Sequence, residues 1–165
     1  MQELFAAESR VLRTLRTRGH AAGVERVVRW YSKLGEHSFV WLAIGLAGVL
    51  TGTRQTRPQW LRGTLAVLSS FGINVGIKHL VRRPRPQLDD QPALISTPTD
   101  LSFPSTHATT SFAAAAAYSP LLPAGPLYLA AALMATSRVY LGVHWPTDIA
   151  GGAVLGTVVG KAFVR

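Results

Sequence analysis

Apolar positions in the first 36 residues recur at helical spacing rather than in continuous runs. In residues 2–18, Leu4, Phe5, Val11, Leu12 and Leu15 fall on one side at a period of 3.6, with Arg10, Arg13, Arg16 and Thr17 opposite. This is the pattern of a basic amphipathic helix lying on a membrane surface. Glu8 interrupts its apolar side, and Gly19 is expected to end it. A second helix, from Ala21 onward, sets Val24, Val27, Val28 and Tyr31 opposite Arg26, Arg29 and Lys33, a basic face that suits solvent and lipid headgroups equally. Neither segment is apolar enough to span a bilayer.

From residue 37 the pattern changes to long apolar runs with polar breaks. Five candidate spans follow, over 37–53, 59–81, 104–122, 126–141 and 145–163. The first is short for a hydrocarbon core of about 30 Å and is expected to borrow residues from the helix before it. The second ends in Lys78, Arg82, Arg83 and Arg85, and a polar, proline-bearing loop over 84–103 carries Asp89, Asp90 and Asp100, read as solvated. Asn74 with Gly72 and Gly76 in the second span, and Gly151, Gly152, Gly156 and Gly160 in the fifth, suit close helix contacts. The expected fold class is an all-α integral membrane helical bundle of about five transmembrane helices, with amphipathic interfacial helices at the N-terminus. One domain is expected over 1–165, with 1–36 as the interfacial region and 37–165 as the transmembrane catalytic core.

Composition agrees. Hydrophobic residues make up 48% of the 165 positions and charged ones only 15%, a balance that fits membrane spans joined by basic loops better than a soluble globule. The net charge of +9 sits at the ends of apolar runs, which favours anionic lipid and phosphate over nucleic acid as partners. The chain has no cysteine, so disulfides and thiol catalysis are excluded. Charges near the N-terminus leave no apolar stretch of the kind a cleavable signal peptide needs.

The chemistry gathers around Pro104-Ser105-Thr106-His107. Proline is tolerated in a first helical turn, so Pro104 is expected to open the third span. The unpaired first amides and the positive end of the helix dipole then offer an anion site, to which Ser105 adds a hydroxyl and His107 a group that titrates near neutral pH. Lys78 and Arg85-Pro86 precede this stretch; Ser137-Arg138, His144 and Asp148 follow it. Lys78, Arg85 and Arg138 are three cations for the oxygens of one phosphate, and cations near a bilayer are costly without such a purpose. His144 and Asp148 are four apart, a spacing at which the carboxylate could accept from Nδ1–H and leave a lone pair on Nε2.

These three blocks, over residues 78–148, resemble the signature motifs of the type-2 phosphatidic-acid phosphatase superfamily, which also contains the vanadate-dependent haloperoxidases. The one departure is Thr106, where the family usually has glycine. The resemblance implies a metal-independent membrane lipid phosphatase, with His144 as the nucleophile that becomes phosphohistidine, Asp148 as its orienting partner and His107 as the acid for the leaving alcohol. Lys78, Arg85, Ser105, Arg138 and the Thr106 amide would bind phosphate, with vanadate, phosphate or similar anions as inhibitors. No cofactor is implied, and the sequence offers no carboxylate cluster for a metal. The haloperoxidases are generally larger and soluble, and a non-catalytic binder of anionic lipid would need the cations without the histidines. His20, His37 and His79 fall outside the motifs.

Alternating the five spans brings every motif to one membrane face. Twelve of the 17 Lys and Arg lie on that side, nine against five once Lys78, Arg85 and Arg138 are set aside, which by the positive-inside rule favours a site on the cytoplasmic side of the bacterial cytoplasmic membrane. Small bacterial members of the family act on polyprenyl pyrophosphates, phosphatidylglycerol phosphate or phosphorylated polyprenyl sugars. A cytoplasmic site and an Arg- and Ala-rich composition, typical of a high-GC genome, favour a substrate such as decaprenylphosphoryl ribose 5-phosphate. Nothing in the sequence speaks to oligomeric state.

Overall fold

The structure, a computed structural model, describes residues 2–18, 20–88 and 90–164. Its helices are α1 (Gln2–Thr17), α2 (Ala22–Leu34), α3 (Phe39–Thr51), α4 (Arg57–Val81), α5 (Thr106–Tyr118), α6 (Ala124–Tyr140) and α7 (Pro146–Val164). The expected all-α class holds. Gly19 and Asp89 lie outside the described residues, as does the side chain of Leu4.

α5 is the axis of the bundle. Its alanine run, Ala113–Ala117, lets neighbours approach from every side, and all its residues except Thr106 and Phe112 are buried. α7 lies directly against it. A Cβ placed on Gly156 would fall 2.0 Å from the Thr109 carbonyl oxygen, and one on Gly160 would fall 2.5 Å from that of Ala113. The glycine face expected in the fifth span is therefore where two helix backbones touch.

The same inference fails for α4. Gly72 and Gly76 have nothing within 4 Å of where a Cβ would be, so they face outward. Asn74, one face away, makes the contact instead. It donates to the Pro104 carbonyl at 3.2 Å and to Thr109 Oγ1 at 2.8 Å, and accepts from Thr106 Oγ1 at 2.7 Å. Toward the far end, Trp41, Val67, Ala114, Tyr118 and Ala131 form the apolar core, where Trp41 Nε1 donates to Ser111 Oγ at 2.7 Å and the Tyr118 hydroxyl to the Trp41 carbonyl at 3.0 Å.

Large apolar side chains such as Leu46, Leu50, Leu133, Val154 and Val158 point outward, while Ser70, Asn74, Thr109 and Ser111 are buried. This arrangement suits lipid rather than water. α4 and α7 are each long and apolar enough to cross a membrane; α2 with the segment Glu36–Thr51 would be a third span, bent by 52°. All five expected runs are helical, yet α5, at 13 residues, rises only about 20 Å. The first span does not simply borrow length from α2. His37 (φ 49°) and Ser38 (φ 63°) are both left-handed, and they turn the chain sharply between α2 and α3.

α1 docks against the bundle. Leu12 is fully buried beside Val139 and Trp145, and the Phe5 and Trp145 rings are 5.1 Å apart. Part of its basic face grips the 84–103 loop: Arg13 pairs with Asp90 at 2.5 Å, and Arg16 donates to the Pro92 carbonyl at 2.6 Å. Asp90 is exposed, as expected, but it is not merely solvated.

Candidate active site

Three cations converge below the start of α5. Lys78, in the last turn of α4, donates from Nζ to the carbonyls of Pro104, Ser102 and Leu101 at 2.8, 3.1 and 3.3 Å. Arg85 leaves the loop after α4, its Nε donating to the Thr99 carbonyl and its Nη1 to the Val143 carbonyl, both at 2.7 Å. Arg138, in the last turn of α6, is 5% exposed; one arm donates to Ser32 Oγ, and its Nε is buried without a partner. Carbonyls orient Lys78 and Arg85 and a hydroxyl orients Arg138, but none of these neutralises a charge. Among the described residues, none of the three has a carboxylate within 4.0 Å.

The three cations line a cavity of about 500 Å³ together with Thr106, His107 and His144. The structure thus brings the separated sequence blocks to one place. Glu36, His37 and His79 stand at the same cavity, as do the hydroxyl residues Ser96, Thr97 and Thr99. Ser105 lies behind the wall, fully buried. It is the N-cap of α5, its Oγ accepting from the Ala108 amide at 3.5 Å. Pro104 therefore precedes the cap rather than occupying the first helical turn. The Thr106 hydroxyl is spent on Asn74, whereas its amide is a first-turn amide with no acceptor in its own helix.

The hydrogen bonds fix the state of both histidines. Nε2 of His144 is 3.1 Å from Nη1 of Arg85. A guanidinium can only donate, so Nε2 holds a lone pair and Nδ1 carries the hydrogen, which it shares with Asp148 Oδ2 at 3.3 Å. Burial, then the charges of Arg85, Arg138 and Lys78, hold this imidazole well below the ordinary histidine range. Burial also lowers Arg85, with Asp148 and Asp100 opposing. Nε2 of His107 lies 3.1 Å from the Ser32 carbonyl, which can only accept; that nitrogen therefore carries a proton. Gly35 makes room for it, since a Cβ there would stand 2.6 Å from the His107 ring.

Sequence reasoning missed two residues beside Asp148. Arg83 Nη1 donates to Asp148 Oδ1 at 2.9 Å, and its Nη2 to Glu8 Oε2 at 2.6 Å. The break that Glu8 made in an apolar stripe was the available signal. For Arg83, one of four basic residues closing the second span, there was none.

Fold and site together define a helical membrane protein in which three cations and two histidines line one cavity. The PAP2 superfamily profile matches residues 59–165, and the chain belongs to that family. It is similar to decaprenylphosphoryl-5-phosphoribose phosphatase of Mycobacterium tuberculosis, 42% identical over 146 residues that make up 84% of this chain and 77% of the relative. Undecaprenyl-diphosphatase BcrC of Bacillus subtilis is 30% identical over 134 residues, covering 79% of this chain and 69% of that one. Among solved structures, the transmembrane PAP2-type phosphatidylglycerolphosphate phosphatase of Bacillus subtilis superposes with a TM-score of 0.78 at 25% identity, over 99% of this chain and 85% of the other.

Proposed function

We propose that this protein is a metal-independent lipid phosphatase acting on a polyprenyl-linked phosphate, with decaprenylphosphoryl ribose 5-phosphate as the substrate that best fits its relatives. The observation that carries the reading is the set of three cations around one cavity, Lys78 and Arg138 buried and Arg85 half-buried, none of which has a carboxylate partner among the described residues. A buried cation without an anion is strongly unfavourable, so three around one cavity call for a multiply charged ligand. The polyprenyl-sugar phosphatase at 42% identity supports the substrate class; the undecaprenyl-diphosphatase at 30% supports a lipid pyrophosphate as the second candidate.

In this reading Lys78, Arg85, Arg138 and the Thr106 amide hold the phosphate oxygens, and Ser105, expected to join them, caps α5 from behind the wall. His144 Nε2 attacks phosphorus as the bond to the ester oxygen breaks. His107, in its imidazolium form, gives that oxygen the proton not held by the Ser32 carbonyl, and the alcohol leaves. Phosphohistidine remains. Water then attacks the phosphorus with His107 as base, releasing phosphate and restoring the His144 lone pair. Asp148 keeps the proton on Nδ1 throughout. All 165 residues work as one domain, N-terminal helices included, with the site on the cytoplasmic side of the cytoplasmic membrane.

The test is phosphate release by the detergent-solubilised protein in EDTA, from decaprenylphosphoryl ribose 5-phosphate, undecaprenyl pyrophosphate, phosphatidylglycerol phosphate and phosphatidic acid. Turnover of the first, blocked by vanadate as a mimic of five-coordinate phosphorus, is expected. Loss of activity in EDTA, or activity retained by His144→Ala, would overturn the mechanism. Because the chain has no cysteine, a single Ser96→Cys can report sidedness: labelling by an impermeant maleimide in intact cells would refute a cytoplasmic site.

A further inference from the structure

Glu8 stands on the first of the helices expected to lie at the membrane surface, yet it is 4% exposed. A carboxylate so buried is costly unless its oxygens are matched. Here both are. Oε2 accepts from Arg83 at 2.6 Å, and Oε1 accepts from the Thr147 amide at 3.1 Å and from the Thr147 hydroxyl. Arg83 spreads its fork between two acids and a hydroxyl. One arm reaches Glu8; the other reaches Asp148 Oδ1 at 2.9 Å and Thr147 Oγ1 at 2.6 Å. Its guanidinium also lies over the Trp145 ring, 5.5 Å from the centroid. The remaining oxygen of Asp148, Oδ2, accepts from the Trp145 amide at 2.8 Å and faces Nδ1 of His144.

We infer that Arg83 is a positioning residue for the His144–Asp148 pair, and that Glu8 makes the docking of α1 a condition of that alignment. The inference rests on the proposed role of His144. Asp148 has two oxygens to orient one imidazole. Arg83 pins one of them, which sets the plane of the carboxylate and hence the direction in which Nε2 points at phosphorus. Glu8 in turn decides where Arg83 can sit. Arg83 does not line the cavity, so it contributes nothing to holding phosphate directly. α1 is seated by Leu12 under Val139 and Trp145, so the chain from Glu8 to Arg83 to Asp148 to His144 links an interfacial helix to the nucleophile.

The experiment compares Arg83→Gln, Arg83→Lys, Glu8→Gln and His144→Ala in detergent. It follows hydrolysis of decaprenylphosphoryl ribose 5-phosphate over a range of pH, thermal unfolding, and inhibition by vanadate. Arg83→Gln is expected to lower kcat about 10- to 100-fold, the usual effect of losing a partner that orients a reacting side chain. KM and vanadate inhibition should change less than about threefold, because the phosphate cradle is untouched. The acid limb of kcat/KM should also move. His144 is faced by Asp148 from α7, Lys78 from α4, Arg138 from α6, His107 from α5 and Arg85 from the loop. Removing the further cation behind Asp148 favours the imidazolium and carries the limb to higher pH. Arg83→Lys keeps the charge without the fork and should restore the limb and part of kcat. Glu8→Gln preserves shape and should lower kcat with the same unchanged KM.

Wild-type kcat in Arg83→Gln, with His144→Ala inactive, would overturn the inference while leaving the nucleophile in place. A fall in kcat and stability with an unmoved limb, and no recovery in Arg83→Lys, would make Arg83 merely structural and equally overturn it. Activity in His144→Ala would remove both assignments.

Discussion

Exchanging Gly156 for Ala tests whether the contact between α7 and α5 holds the proposed phosphate site in place. The new Cβ would lie 2.0 Å from the Thr109 carbonyl oxygen and 2.9 Å from the Ala113 amide nitrogen. Both are backbone atoms, which cannot swing aside. Ordinary contact begins near 3.4 Å, so the helices would have to part by about 1.4 Å. Thr109 is one turn beyond Thr106 and His107, so that shift is passed to the start of α5 beneath the cations. A misplacement of about 1 Å at reacting groups can cost about 100-fold in rate, and Gly156→Ala is expected to lose about that much phosphate release. Overpacking costs about 1–3 kcal/mol and the better helix propensity of alanine returns about 1 kcal/mol, leaving a net loss of up to about 2 kcal/mol. Gly72→Ala and Gly76→Ala are the controls. They face open space, so activity should hold and Tm should stay or rise. Phosphate release and thermal unfolding in one detergent read both effects. Wild-type turnover and Tm in Gly156→Ala, or equal damage from Gly72→Ala, would refute the reasoning.

Other outcomes follow from the site. Asp148→Asn should lower kcat about 100- to 10,000-fold by releasing the imidazole from its required tautomer, with vanadate affinity little changed; equal losses in both would place Asp148 in the phosphate cradle instead. Arg138→Ala should weaken vanadate binding by about 2–5 kcal/mol, measured as the shift in its inhibition constant, with Arg138→Lys recovering part. In the free enzyme His144 stays neutral well below the usual histidine range, so kcat/KM should remain level as pH falls through about 6.5 and decline only at lower pH. The same depressed value means that the unfolded chain takes up this proton first, so the contribution to stability is lost as pH falls below about 6.5. An acid limb at or above that pH would contradict the geometry.

The five apolar runs were legible because continuous hydrophobicity survives any tertiary arrangement, and each became a helix. The spacing Lys78, Arg85, His107, Arg138, His144, Asp148 was legible because the chemistry leaves a linear trace. What joins residues through space left none. Glu8 and Arg83 are 75 positions apart, and only the fold sets them 2.6 Å from each other. Glycine spacing was half informative. It marks where a helix could approach, and in α7 the alanines of α5 accept the offer; in α4 nothing stands opposite Gly72 and Gly76. Pro104 illustrates a third limit. A proline announces a helix start without saying which residue caps it, and the cap is Ser105.

α5 carries His107 and the Thr106 amide proposed to bind phosphate, and its flanks meet almost nothing but other helices. It is a hub enclosed by staves. Changes in bilayer thickness or lateral pressure act first on the outer faces of α3, α4, α6 and α7, which can tilt. The hub itself has scarcely any lipid-facing surface to push on. The start of α5 is thereby shielded from the mechanical state of the membrane, whereas Lys78 at the end of α4 and Arg138 at the end of α6 ride on helices that meet it directly.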